Sequence, residues 1–133
     1  MFKLLSSFVV CLFLNMMIFQ LPVYAMEQNT SEYFAHFHEK AVNGDAEAQY
    51  YMGLSYDLGD TVKHDYIKAR QWYEKAANQG YANAQYDLGT MYQFGRGVRQ
   101  DFAKAGQWYE KAAAQGHTDA QYMLGTFYQF VRE

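Results

Sequence analysis

Cysteine and proline are almost missing from this chain. Cys11 and Pro22 are the only two, and both fall within the first 25 residues. From residue 26 onward no internal disulfide can form and no thiol nucleophile exists, so an oxidising compartment would not disturb the chain. The same stretch is free of the strongest helix breaker. A basic run is lacking as well: 11 Lys and Arg stand against 14 Asp and Glu, a net charge of −3 that argues against nucleic acid as the ligand. Aromatics are abundant instead. They make up 19% of the 133 residues and 13 of them are Tyr, enough for one domain with a core rich in amphipathic rings.

The opening residues read as a leader and not as part of a fold. Met1-Phe2-Lys3 is a short basic start, Leu4 to Leu21 is mostly apolar, and Val23-Tyr24-Ala25 places small residues at −3 and −1 of a cut. This is the plan of a secretory signal peptide cleaved after Ala25, and it predicts a periplasmic or secreted protein. The alternative is an uncleaved membrane anchor, because the apolar stretch approaches the length that spans a bilayer. Gln20-Leu21-Pro22 interrupts the run just before the small residues, which favours cleavage. Loss of Lys3 leaves 10 Lys and Arg against 14 Asp and Glu, a net charge of −4.

The rest of the chain is periodic. Gly44 to Gln79 and Gly80 to Gln115 align without gaps and agree at 20 of 36 positions, and Gly116 opens a third copy. A fixed period of this size means stacked supersecondary units. The expected organisation is a signal segment (1–25), a polar start with one leading helix (26–43), repeats over 44–79 and 80–115, and a partial repeat over 116–133. The leading helix starts near Ser31, with Asn29 to Ser31 as a cap and Glu32 in capping-box position. Its end, HEKAVNGD, is similar to YEKAANQG of the later copies and one residue shorter.

Each full unit divides into two helices. The first runs over about 46–58, 82–94 and 118–130; Ala48, Met52, Ser55 and Tyr56 make one helical stripe, repeated in the other copies. Gly53, Gly89 and Gly125 fall in mid-helix, where Gly costs about 1 kcal/mol relative to Ala. A cost taken at one position in three copies predicts a neighbour too close for a Cβ. Gly59 and Gly95 suit a left-handed stop, and Asp65 and Asp101 are natural caps for the second helix. That helix extends to about Asn78 or Ala114, with Tyr66, Ala69, Tyr73, Ala76 and Ala77 on one side.

The pattern from Ala82 to Gly116, ANAQYDLGTMYQFGRGVRQDFAKAGQWYEKAAAQG, resembles the Sel1-like repeat family, a branch of the tetratricopeptide-like α-solenoids. The copy from Gly44 departs modestly, with Asp60-Thr61 where Arg96-Gly97 stands later. The resemblance covers Ser31 to the C-terminus. It implies an all-α fold, a right-handed α-solenoid of antiparallel helix pairs. It also implies a role in assembling or regulating other proteins, in bacteria often in the cell envelope. A cysteine-rich secreted branch is associated with β-lactam binding; its disulfides have no counterpart here, so that activity is not carried over.

No enzyme chemistry stands out. Glu74 and Glu110 recur at one repeat position, as a solvated ridge would, whereas acid–base work needs two carboxylates in different environments. His36 and His38, two apart on a helix, point to different sides and cannot share a metal; His64 and His117 fall in links, and all four read as surface residues. Gly53-Leu54-Ser55-Tyr56-Asp57 lacks the last Gly and the strand of a nucleophile elbow. No Ser is followed by Lys three positions on. The expectation is a non-enzymatic protein with no cofactor and no metal. A secreted factor acting on cell-wall material or β-lactams, or a structural oligomer, is the alternative.

A partner-binding face is the positive expectation. The copies differ most at Glu47, Tyr51, Leu54 and Leu58; at Asn83, Asp87, Thr90 and Phe94; and at Asp119, Met123, Thr126 and Phe130. The spacing i, i+4, i+7, i+11 is one helical face. Residues that recur build the stack, while a face that varies is what solenoids present to ligands, here a protein or peptide on the concave side. Its Tyr, Met and Phe are types that interfaces enrich. The last first-type helix, with Tyr122, Leu124 and Phe127, has no second helix after it in this sequence; the readings are apolar area free for self-association or docking, or a truncated product with a frayed end. Nucleic acid is not expected, and a membrane only through an uncleaved leader.

Overall fold

The computed structural model describes residues 30–132. The leader (1–25), its cleavage site and the Asn29 cap lie outside the described residues. The chain divides into two compact units at Tyr33/Phe34. Of the first, residues 30–33 are described and are helical.

In the second unit the helix over residues 34–42 (α1) is followed by α2 (Ala46–Leu58), α3 (Tyr66–Asn78), α4 (Ala82–Phe94), α5 (Phe102–Ala114) and α6 (Thr118–Arg132). Local chemistry sets the bounds. Asp45 Oδ1 accepts from Ala48 N at 2.7 Å, Asp65 from Ile67 and Lys68, and Asp101 from Lys104, so three helices start on a carboxylate that takes up orphan amides. Gly59 (φ 68°) and Gly95 (φ 66°) end α2 and α4 in the left-handed region. Val131 stands at the equivalent place in α6, and that helix runs past Phe130 to Arg132. His117 is not a plain surface residue. It is half-buried, and its Nδ1 accepts from Ala120 N at 3.2 Å, capping α6 as Asp45 caps α2, whereas Tyr81 at the start of α4 makes no side-chain cap.

Packing follows chain order: α2 on α3, α3 on α4, α4 on α5 and α5 on α6. Helices that meet mainly their neighbours, with no strand among the described residues, make an all-α solenoid; beyond them Tyr50 of α2 reaches Asp87 of α4 and His38 of α1 lies against Trp72 of α3. Its core is built from small residues and rings. Ala69, Tyr73, Ala76 and Ala77 of α3 pack with Ala84, Leu88 and Met91 of α4, and Tyr73 and Tyr109 are fully buried. Each ring sits where a first-helix glycine leaves room: a Cβ on Gly89 would lie 2.7 Å from the Tyr109 ring, and one on Gly53 closer still to Tyr73. The mid-helix glycines therefore do admit a neighbour in two copies. In the third they do not, because a Cβ on Gly125 would meet nothing within 4 Å.

The two buried glutamines are satisfied in the same way. Gln49 Nε2 donates to Ala41 O and Gln85 Nε2 to Ala77 O, both at 3.1 Å. Their Oε1 atoms accept from Gln79 and Gln115, both at 2.8 Å. Lys75 lies over Trp72 and Lys111 over Trp108 on the outer side. Arg70 pairs with Glu74 at 2.5 Å and donates through Nε to Gly97 O at 3.1 Å, tying α3 to the link of the next unit.

Candidate partner-binding face

The first helices α2, α4 and α6 carry the twelve positions expected to meet a partner, and the structure sorts them into three groups. Glu47, Leu58, Asn83 and Asp119 are exposed and do not line the groove at the second junction. Tyr51 is exposed with its ring against Phe37 at 5.0 Å, while Leu54 leans on the core and contributes packing more than surface. The remaining six fall at two junctions between repeats.

At the first junction Asp87, Thr90 and Phe94 of α4 surround Arg96. The guanidinium lies over the rings of Tyr66 (5.9 Å) and Phe94 (5.6 Å), and its Nη2 donates to Thr90 Oγ1 at 3.3 Å. The buried Nε has no partner. Asp87 accepts from the Tyr50 hydroxyl, and Tyr73 donates to Asp57 Oδ2 at 3.2 Å, so two carboxylates and two phenols face one another across α2, α3 and α4. Burial pushes the Asp87 carboxyl from its ordinary 3.8 up to about 6, against the opposing pull of the Tyr50 hydrogen bond; Asp57 adds to the rise and Arg96 reduces it. Burial likewise pushes the Tyr50 and Tyr73 phenols well up, with the Asp87 charge second. Tyr50 also packs on Tyr73 and Tyr81, at 5.8 and 5.1 Å between centroids.

At the second junction the counterparts 36 residues on behave differently. Gln93 replaces Asp57, Phe102 replaces Tyr66, Met123 replaces Asp87, and Phe130 replaces Phe94. With Thr126 and Phe127 they line a groove of about 470 Å³. Both carboxylates are gone, so this groove suits an uncharged or apolar side chain, whereas the first junction balances a cation. Phe130 is 79% and Phe94 61% exposed, which leaves aromatic area facing outward beside both junctions.

Among the described residues no group of three His, Cys, Asp or Glu is placed to hold a metal. Asp87 is engaged by Tyr50 and stands near Arg96, and the Thr90 hydroxyl donates to the Asp87 carbonyl at 2.7 Å. Among the described residues no helix is long and apolar enough to cross a membrane.

Sequence patterning missed Tyr50, Asp57, Tyr66 and Arg96 as parts of this face. Tyr50 recurs as Tyr86 and Tyr122 and so reads as scaffold. The one available signal was the change from Asp60-Thr61 to Arg96-Gly97, which marks the link that carries the guanidinium.

The Sel1 repeat family model matches residues 46–81, 82–117 and 118–130, well over half the chain. The chain belongs to the Sel1 repeat family. Three solved structures share its fold. A protective antigen of uropathogenic Escherichia coli strains, described as displaying an SLR fold, is 42% identical with a TM-score of 0.69 over 71% of this chain and 20% of its own. A Sel1 repeat protein from Oxalobacter formigenes is 41% identical with a TM-score of 0.67, over 68% of each chain. Cysteine rich protein B of Helicobacter pylori is 28% identical with a TM-score of 0.68, over 71% of each. The present chain thus spans about a fifth of the length of the E. coli antigen. No curated protein matches it significantly. Sel1 repeats are generally protein–protein interaction scaffolds.

Proposed function

We propose that this Sel1-repeat protein is an exported, non-enzymatic interaction module that holds a peptide segment or an envelope protein on the concave face of α2, α4 and α6. One observation carries the reading. The groove lined by Met123, Thr126 and Phe130 falls on the same helical face as the exposed rings of Tyr51 and Phe94, so a single ligand could run along it. A groove of this size admits one large apolar side chain as an anchor, and the neighbouring rings add contact area at low cost in side-chain entropy. Export rests on the leader read in residues 1–25.

The test begins with the chain lacking residues 1–25, immobilised and offered an envelope fraction, with the retained protein identified and then titrated in pure form. Replacing Tyr51, Phe94 and Met123 together by Ala should weaken that binding at least about tenfold, roughly 1.4 kcal/mol, and leave helix content by circular dichroism unchanged. Equal affinity in the triple variant would remove this face from the reading.

A further inference from the structure

Arg96 is half-buried at the first junction, and its charge is not answered there. The guanidinium lies over the rings of Tyr66 and Phe94, and Nη2 donates to Thr90 Oγ1 at 3.3 Å. The buried Nε has no partner, and Arg96 makes no ion pair among the described residues. Arg70 shows the difference. It reaches the same link, where its Nε donates to Gly97 O, and its charge is met by Glu74. Neither α2 nor α4 holds a Lys or Arg, so Arg96 brings to this face a positive charge that those helices lack.

The link is built to hold it. Gly97 sits in the left-handed region at φ 64°, so close to Tyr66 that a Cβ would collide with the Tyr66 carbonyl oxygen. The Arg96 amide donates to Met91 O at 3.0 Å. In the first copy Asp60 and Thr61 occupy these two positions, so the arrangement is not part of the repeated scaffold. The carboxylates of the junction are taken by phenols instead: Asp87 accepts from Tyr50, and Asp57 from Tyr73. A half-buried guanidinium with a donor unmet costs stability, and an acceptor brought by a ligand would offset that cost.

We propose that Arg96 anchors a carboxylate of the segment bound on this face, either an acidic side chain or a chain end. This deepens the interaction reading above and rests on it. The guanidinium, held flat over two rings, offers two N–H donors to one carboxylate, and an apolar side chain beside that group would lie on Phe94.

The surroundings make the anchor depend on pH. Facing Asp87 are Tyr50 and Asp57 of α2, Tyr73 of α3, Tyr109 of α5, and Tyr86 and Arg96 from its own side. Burial pushes the Asp87 carboxyl up to about 6. A ligand carboxylate beside it favours the protonated form, so binding takes up a proton and tightens as the pH falls through about 6. Above that pH the Asp87 charge opposes the newcomer.

The probes are three peptides titrated into the purified chain and followed by the amide shifts of residues 94–98. They are acetyl-Ala-Phe-Glu-Phe-Ala-amide, its Gln counterpart, and acetyl-Ala-Phe-Gln-Phe with a free terminal carboxylate. At about pH 5.5 a carboxylate peptide should bind at least about tenfold more tightly than the Gln amide, and the tighter of the two names the source. Arg96→Gln should erase that preference, and Arg96→Lys should keep part of it. Raising the pH to about 7.5 should weaken the carboxylate peptides at least about threefold in the parent and leave Asp87→Asn unchanged, a profile that a merely structural arginine would not give. Equal binding of acid and amide peptides, or a preference that survives Arg96→Gln, overturns the proposal and leaves the face itself to the Tyr51, Phe94 and Met123 test. So does the absence of saturable binding by all three. Should Arg96→Gln lose helix content, the parent's preference and the Asp87→Asn profile still decide.

Discussion

The junction between the first two repeats and the junction between the second and third share a backbone plan and differ in what fills them. At the first, Asp57, Asp87 and Arg96 are drawn in among Tyr50, Tyr66 and Tyr73, and the ionisable groups answer one another. At the second, Gln93, Met123 and Phe102 stand in their places around an open groove. The hairpin faces diverge in parallel: Gly53 and Gly89 hold tyrosine rings, and Gly125 holds nothing among the described residues. A repeat therefore fixes where side chains go without fixing what they do. In a quasi-one-dimensional stack each unit's stability depends on its neighbours, and among the described residues the first two units are closed over their glycines while the third is open.

The sharpest way to break this comparison is at the glycines. Gly89→Ala sets a methyl 2.7 Å from the Tyr109 ring, so the ring or the helix must move. Overpacking of this kind costs about 1–3 kcal/mol or more, and the gain in helix propensity offsets under half of the upper value. Gly53→Ala should be worse, because its Cβ would lie deeper in the Tyr73 ring. Gly125→Ala meets open space and should gain up to about 1 kcal/mol. Urea unfolding of the three variants decides it. Equal losses at all three positions would mean that α6 is covered as the others are.

Next in size is the buried carboxylate of the first junction. The folded chain holds the Asp87 proton more tightly than the unfolded chain does, since its carboxyl is raised from 3.8 to about 6. The resulting contribution to stability is complete below pH 3.8 and is lost as the pH rises to about 6; above that, folding keeps an ionised group out of water. Asp87→Asn can still accept from Tyr50 and carries no charge. At pH 7.5 the variant should be more stable than the parent by about 1–3 kcal/mol, and the gap should close between pH 6 and pH 4. A gap that does not change with pH would show that burial, with Asp57 beside it, does not raise the Asp87 carboxyl in this way.

Much of the scaffold was legible in the sequence because it is written two or three times over. The Asp65 and Asp101 caps, the Gly59 and Gly95 stops and the 13-residue helices each follow from local rules that repetition makes visible. The family resemblance, carried by the same recurring residues, is what the Sel1 match over residues 46–130 bears out. The candidate face was legible only in part. Variation picked out Asp87, Met123 and Phe130, but it could not show Arg96 reaching back over Tyr66 from a link, since that contact joins residues of different units. It also misread Gly125, because a repeated glycine reports the plan of the fold and not whether its socket is filled. Leu54 erred the other way: it varies between copies and yet packs on the core.

The smallest expected effect separates the closed and open faces most finely, because it turns on a single hydrogen-bond acceptor. Gln85 is buried, donates to Ala77 O and accepts from Gln115 Nε2, so Gln85→Ala removes two side-chain hydrogen bonds at once, although Ala77 O keeps its bond from Gly80 N. Losses of that kind run at about 1–2 kcal/mol, and Gln49→Ala should match it through Ala41 and Gln79. Gln121 keeps the donor bond, to Ala113 O at 3.3 Å, but it is exposed, and water can replace the partner. Gln121→Ala should therefore stay within about 0.5 kcal/mol of the parent in the free chain. Urea unfolding of Gln49→Ala, Gln85→Ala and Gln121→Ala reads the difference, and equal losses at all three would show that the Gln121 site is covered as the other two are.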